Sequence, residues 1–187
     1  MISDQTFEKI NFLETPLAKS EYENCTFVQC DFMGFNLSDY KFTDCVFNGC
    51  NLSLVKLLKA AFRDVKFIEC KMLGLRFDDC NKIGMSFSFE KCILNNASFF
   101  QAKIRGTVFR ETQMRETDLA ACDLTGAVLD RCDLAGASFD NTILEKADLR
   151  SAFNYSFDPD NNRIRKAKFS LHGIPGLLGK YDIEIDQ

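Results

Sequence analysis

From Met114 to Leu149 a large apolar residue returns at every fifth position: Met114, Leu119, Leu124, Leu129, Leu134, Phe139, Leu144 and Leu149. Two places before each stands a small residue, namely Thr112, Thr117, Cys122, Ala127, Cys132, Ala137, Thr142 and Ala147. An α-helix repeats every 3.6 residues and a strand every 2, so neither gathers both series on one face. If two residues in five point inward and three turn the chain or face water, successive fives become successive sides of a coil. The pattern therefore predicts a solenoid.

The same register starts at Phe7 and runs through Phe12, Leu17, Tyr22, Phe27 and onward to Phe77; ten of the seventeen large positions up to residue 87 are Phe, which predicts an aromatic core there. In the first turn the small positions hold Gln5, Ile10, Thr15 and Ser20, and Pro16 sits beside Leu17, as expected of an end cap that discourages strand pairing. Phe35, Tyr40, Leu75 and Met85 are oversized for small positions and predict a bulged wall or a side chain turned aside. Lys82 falls on an inward position, and Phe89, Leu94, Phe99, Ile104 and Phe109 follow a new phase, so two residues are inserted near 87–89. A lone buried lysine is too costly, which predicts an outward loop over 80–88.

Beyond Leu149 the pattern fails at Asn154 and Pro159 and resumes at Ile164 and Phe169, with the turn-rich NYSFDPDNN predicting a loop over 154–163. In HGIPGLLGKYDIEID, the spacing of Ile174, Leu177, Leu178 and Tyr181 predicts a short helix, and the alternation of Ile183 and Ile185 a short strand. The expected organisation is a coil over 1–170 and a cap over 171–187. The apolar surface that this cap leaves exposed, drawn from Ile174, Leu177, Leu178, Tyr181, Ile183 and Ile185, is the expected homodimer interface.

Composition narrows the function. A mean hydropathy of -0.14 and no long apolar run argue against a membrane span, and MISDQTFEKINF lacks the features of a secretory signal, so a cytoplasmic location is expected. All nine cysteines (25, 30, 45, 50, 70, 80, 92, 122 and 132) occupy the small inward position and none forms C-x-x-C, which predicts free core thiols and no metal site. With one histidine, His172, no Gly-rich phosphate loop and no nucleophile elbow, neither catalysis nor a cofactor nor a small-molecule substrate is expected. Charge is banded: residues 1–50 carry 8 acidic and 3 basic side chains, 51–110 carry 5 and 11, and 111–148 carry 9 and 3. Asp118, Asp123, Asp133 and Asp148 each directly precede a large residue, a position where the repeat itself favours Asp or Asn.

The units ACDLT, AVLDR, CDLAG and ADLRS resemble those of the pentapeptide-repeat family. That resemblance implies an all-β solenoid, a right-handed quadrilateral parallel β-helix with four fives per turn. The end, FDPDNNRIRKAKFSLHGIPGLLGKYDIEID, resembles the tails of the Qnr-type quinolone-resistance proteins and of the microcin B17 immunity protein. It implies a dimeric rod that imitates duplex DNA and engages a type II topoisomerase, DNA gyrase or topoisomerase IV, without itself binding nucleic acid. Such a protein modulates the enzyme or protects it from quinolones or peptide toxins. A dimer of about 70 Å would match about 20 base pairs. Glu111, Glu116, Asp118, Asp123, Asp130, Asp133, Asp140, Glu145 and Asp148 are the expected phosphate substitutes. The alternative is a stiff interaction scaffold with an unrelated partner.

Overall fold

In the computed structural model, which describes residues 1–186, the chain advances 20 residues per turn: Thr6 pairs in parallel with Thr26, and Thr26 with Val46. Four fives thus close one turn, and the coil has four sides. Side one carries a seven-stranded sheet: β2 (Thr6–Glu8), β4 (Thr26–Val28), β6 (Val46–Asn48), β8 (Val65–Ile68), β9 (Phe87–Glu90), β10 (Val108–Arg110) and β11 (Val128–Asp130). Six turns separate its first and last strands, and bridges extend the same ladder to Asp148 and Lys168. Sides two and three are joined by single bridges such as Gln113↔Asp133 and Asp118↔Ser138. Side four holds β1 (Ile2–Ser3), β3 (Glu21–Glu23), β5 (Lys41–Thr43) and β7 (Ala61–Arg63), continued by the bridge Asp123↔Ile143.

Two local devices turn the chain at each corner. The residue three before the large one commonly adopts left-handed φ, as at Asn24 (φ 51), Lys59 (φ 59) and Glu111 (φ 50). The Asp or Asn before the large residue accepts the N–H two residues on: Asp31 from Met33, Asn51 from Ser53, Asp118 from Ala120. This side-chain turn explains why the repeat selects Asp and Asn there. Leu54 is the one large apolar residue in left-handed φ among the described residues (φ 59), and its side chain is 60% exposed. Leu54→Asn is expected to raise stability by up to about 1 kcal/mol, because Asn tolerates this region better; chemical denaturation measures it.

Inside, the aromatic column is continuous. Rings of Phe7, Phe27, Phe47, Phe67, Phe89 and Phe109 stack with centroid separations of 4.9, 4.7, 5.2, 5.2 and 5.1 Å. The column survives the insertion because the pairing offset changes to 22 residues there, with Phe67 opposite Phe89 and Val65 opposite Phe87. Lys82 is exposed in the loop this creates. Of the oversized residues, Tyr40, Leu75 and Met85 are buried inside the coil rather than turned aside. Tyr40 fits because its hydroxyl donates to the Leu17 carbonyl of the preceding turn at 2.7 Å.

All nine cysteines are buried and free. Cys30, Cys50 and Cys70 form one column, and Cys92 joins it after the insertion; their thiols donate to the carbonyls of Phe7, Phe27, Phe47 and Phe67 at 3.3–3.4 Å. Thr117 and Thr142 make the same bond to Leu94 and Leu119. The small position therefore suits a compact donor as well as alanine. Burial pushes the Cys45 thiol up to about 11 and the Cys132 thiol up to about 12. Native protein at pH 8 is expected to resist alkylation at these sites, and all nine thiols to react on unfolding; mass spectrometry before and after denaturant counts them.

The segment from Asn154 to Asn162 contains one 3₁₀ turn, Pro159–Asn161, and Arg163 still pairs with Ile143 at an offset of 20. It therefore adds no residues to its turn. Beyond it, the predicted helix is two 3₁₀ pieces, Leu171–Leu177 and Gly179–Tyr181, the first capped by the Ser170 side chain accepting from Gly173 N–H. The predicted strand is absent among the described residues: 182–186 are irregular, since alternation alone gives an extended segment no neighbour to pair with. Leu177 is 7% exposed and Ile174 packs on the core, so these two seal the end of the coil instead of forming an open interface. Tyr181, Ile183 and Ile185 face outward, and Leu178 is half-buried.

Candidate protein-binding surface

The nine carboxylates of 111–148 do not share a face. The ladder places Asp130 and Asp148 on side one, Asp133 on side two, Asp118 and Asp140 on side three, and Asp123 and Glu145 on side four, with Glu111 and Glu116 at corners. This dispersal follows from the repeat: residues five apart occupy successive sides, and in this stretch it is residues twenty apart that stack, as Asp118 does on Ser138.

Asp123 and Asp133 are corrections to the sequence-based expectation, because each is only 4% exposed. Asp123 accepts the N–H and hydroxyl of Thr125 on Oδ1 and Arg105 Nε on Oδ2 at 2.6 Å. Asp133 accepts Ala135 N–H and Asn154 Nδ2 on Oδ1, and Arg115 Nε on Oδ2 at 2.6 Å. Burial opposes ionisation of both carboxyls. Hydrogen bonds from Thr125 and Arg105 in one case, and from Asn154 and Arg115 in the other, outweigh it and hold them below the usual carboxylate range. Their oxygens are committed to holding turns together.

Several of the others are also paired. Glu111 meets Arg131 at 2.6 Å, Glu145 meets Arg163 at 2.6 Å, and Glu116 accepts Asn96 Nδ2 at 2.9 Å. Asp130 accepts the Ser151 hydroxyl at 2.9 Å. Asp148 is gripped by Arg150 through both Nε and Nη2, which, with help from Lys168, holds its carboxyl below the usual range. Asp140 is exposed and has no ion pair among the described residues. The arginines were missed by sequence reasoning, yet a signal existed: Arg105 and Asp123, Arg115 and Asp133, and Glu145 and Arg163 are each 18 residues apart, one turn less two.

The surface is otherwise shallow. Grooves lie on side three, lined by Leu54, Leu58, Lys56 and Arg76 among others (about 510 Å³), and beside the cap, lined by Tyr155, Ser170 and His172 (about 330 Å³). Among the described residues no three His, Cys, Asp or Glu side chains gather as a metal site, and no helix is long and apolar enough to cross a membrane.

A four-sided parallel β-solenoid with a recurring small and large inward pair defines the class of protein. The chain belongs to the pentapeptide-repeat family: the profile described as pentapeptide repeats matches residues 42–81, 92–131 and 117–153. Among solved structures, a trypsin-treated variant of QnrB1, a plasmid-mediated fluoroquinolone resistance protein, superposes with a TM-score of 0.64 at 16% identity, covering 100% of this chain and 99% of that one. Full-length QnrB1 gives 0.55 at 18% identity, covering 97% and 99%. HetL from the cyanobacterium Nostoc sp. strain PCC 7120, a pentapeptide-repeat protein involved in heterocyst differentiation regulation, gives 0.65 at 16% identity, covering 90% and 85%. No curated protein matches the chain in sequence.

Proposed function

We propose that this protein is a non-enzymatic, DNA-mimicking rod that binds a type II topoisomerase in the cytoplasm and modulates it or protects it from quinolones or peptide toxins. The observation that carries this reading is the end-to-end correspondence with QnrB1, whose rod this chain follows over its whole length. Seven carboxylates remain candidates for contact: Glu111, Glu116, Asp118, Asp130, Asp140, Glu145 and Asp148. Encounter with a basic DNA-binding saddle would be steered by charge and weakened by salt. Two rods would join at their cap ends through Leu178, Tyr181, Ile183 and Ile185.

A supercoiling assay with purified gyrase, with and without a fluoroquinolone, tests the reading. Inhibition or protection at low micromolar protein and low salt is expected, reduced in an Asp140→Lys/Glu116→Lys variant. If neither effect appears, the topoisomerase reading fails. The dispersal of carboxylates over four sides and their arginine pairing favour a second reading, a stiff scaffold for another protein partner, the same fold serving HetL in a different process.

A further inference from the structure

Side four, with the corner that leads from it to side one, carries its free charge in two blocks. In the first turns Glu23 and Asp44 are exposed without an ion pair, while Glu21 is held by Lys41. From Arg63 onward the sign reverses: Arg63, Lys82, Lys103, Lys146, Arg165 and Lys166 make no ion pair among the described residues, and all but the half-buried Arg63 are exposed. The ladder lines them up, since Lys103 is bridged to Asp123, Asp123 to Ile143 and Ile143 to Arg163. Beside it the corner column runs Asp64, Gly106, Gly126, Lys146 and Lys166, each in left-handed φ. The carboxylates of this strip do not offset its cations. Asp123 is buried beneath Arg105, whose side chain stays 69% exposed, and Glu145 is held by Arg163. Asp64 is the single carboxylate here that is exposed without a cation, and it accepts the Ser86 hydroxyl at 3.0 Å. Six free cations therefore stand against one free carboxylate, in a chain whose net charge is -4.

We propose that side four from Arg63 to Lys166 is a second binding face, one that takes the phosphate backbone of duplex DNA lying along the rod. Five steps of the coil separate the corner residues at its two ends, about 24 Å, the length of about seven base pairs. The outward positions between the cations are Asn81, Gly106, Thr125 and Gly126, and the apolar exceptions are Ile83 on the inserted loop and the half-buried Ile143. A protein partner is met by an apolar, aromatic core inside a polar rim, which this strip lacks. Lysine and arginine at successive levels with small residues between them suit phosphates, which position a duplex without reading its sequence. Glu23 and Asp44 repel phosphates and confine the duplex to the part of the rod that begins at Arg63. The binding is sequence-independent, weak and salt-sensitive. It departs from the absence of nucleic-acid contact that the family resemblance implies, and it does not rest on topoisomerase binding.

Fluorescence anisotropy of a labelled duplex of about 20 base pairs, with the full chain and no topoisomerase present, tests this. Binding is expected at about 50 mM salt, equal for two unrelated sequences, and weaker by at least about a hundredfold at about 200 mM. Lys82→Glu/Lys103→Glu and, separately, Lys146→Glu/Lys166→Glu should each weaken it at least about tenfold and make the salt dependence shallower. The control Lys56→Glu/Lys71→Glu changes the same number of exposed lysines on sides three and two, and should stay within about twofold. Circular dichroism checks that all three variants remain folded. No binding at low salt, binding that survives both side-four reversals, or an equal loss in the control would overturn the proposal. So would polyglutamate binding as tightly as the duplex, which would make this a face for acidic proteins, or single-stranded RNA of the same length binding more tightly. Because the enzyme is absent throughout, failure here leaves the supercoiling result untouched.

Discussion

Asp133→Lys is expected to lower the melting temperature by about 6–12 °C, while Asp140→Lys, equally acidic in sequence, leaves it within about 2 °C. Asp133 is enclosed by Ala135 N–H, Asn154 and Arg115. A lysine there removes three bonds, opposes Arg115 and buries an unpaired charge, a change worth about 3 kcal/mol or more. Asp140 has no such partners and stands in water. Charge reversal at Asp133 or Asp123 therefore reports on folding and cannot be used to map a partner. The pH dependence has a defined sign. The folded-state carboxyls of Asp123, Asp133 and Asp148 lie below their unfolded values. Their contribution is present above the unfolded pKa of about 3.9 and is lost as pH falls through the depressed folded values. Urea denaturation between pH 3 and 7 should show stability declining at the acid end, and Asp133→Asn should make that decline shallower. An unchanged acid limb would count against the pairing described.

Gly176→Ala is expected to lift the C-terminal cap off the coil. A methyl group at Gly176 would fall 2.1 Å from the Tyr155 carbonyl oxygen, and one at Gly173 would fall 1.8 Å from the Tyr155 hydroxyl. Both obstacles lie within a well-packed residue, 4% exposed, whose ring contacts Phe157 and Phe169. Relief requires the 3₁₀ turn to move, which withdraws Leu177 from its buried site and strains the Lys180 contact with Asp158, 2.7 Å in the intact cap. The cost is about 1–3 kcal/mol, concentrated at one end because a solenoid transmits stability only between neighbouring turns. Hydrogen exchange should accelerate across 153–178 while 22–110 keeps its protection. Gly106→Ala is the comparison: nothing lies within 4 Å of its added carbon, so only the φ of +68 is penalised and the cap stays in place. Equal exchange in the two variants would refute the close-approach argument.

The coil was legible because its signal is repeated at every side. Phe27, Phe47 and Leu124 fall where the period of five puts them, and even the break at Lys82 announced the two-residue insertion that the ladder locates between Val65 and Phe87. The cap was only partly legible. Its helical spacing occurs once, without repetition to average over, and the close approach of Gly173 and Gly176 to Tyr155 depends on tertiary contact. The predicted strand at Ile183 and Ile185 failed for the same reason, since alternation says nothing about whether an edge is available. The outer wall was legible as charge but not as geometry. Counting carboxylates in 111–148 ignores that fives rotate from side to side, and that Arg105, outside the acidic stretch, and Arg115, within it, reach across turns to Asp123 and Asp133.

The twenty-residue offset has a consequence for how such a molecule changes length. Excising one whole circuit, for instance 112–131, would bring Glu111 next to Cys132 and leave each new neighbour with the same partner types, so the rod would shorten by about 4.8 Å with both termini intact. Excising twenty-two residues from the same stretch would instead leave one circuit two residues short of closing, whereas excising eighteen would leave two surplus residues to be looped out, as they are where Val65 pairs with Phe87. The chain thus behaves as a ruler graduated in circuits, and the reach of a protein of this design is adjustable in fixed steps without redrawing either end.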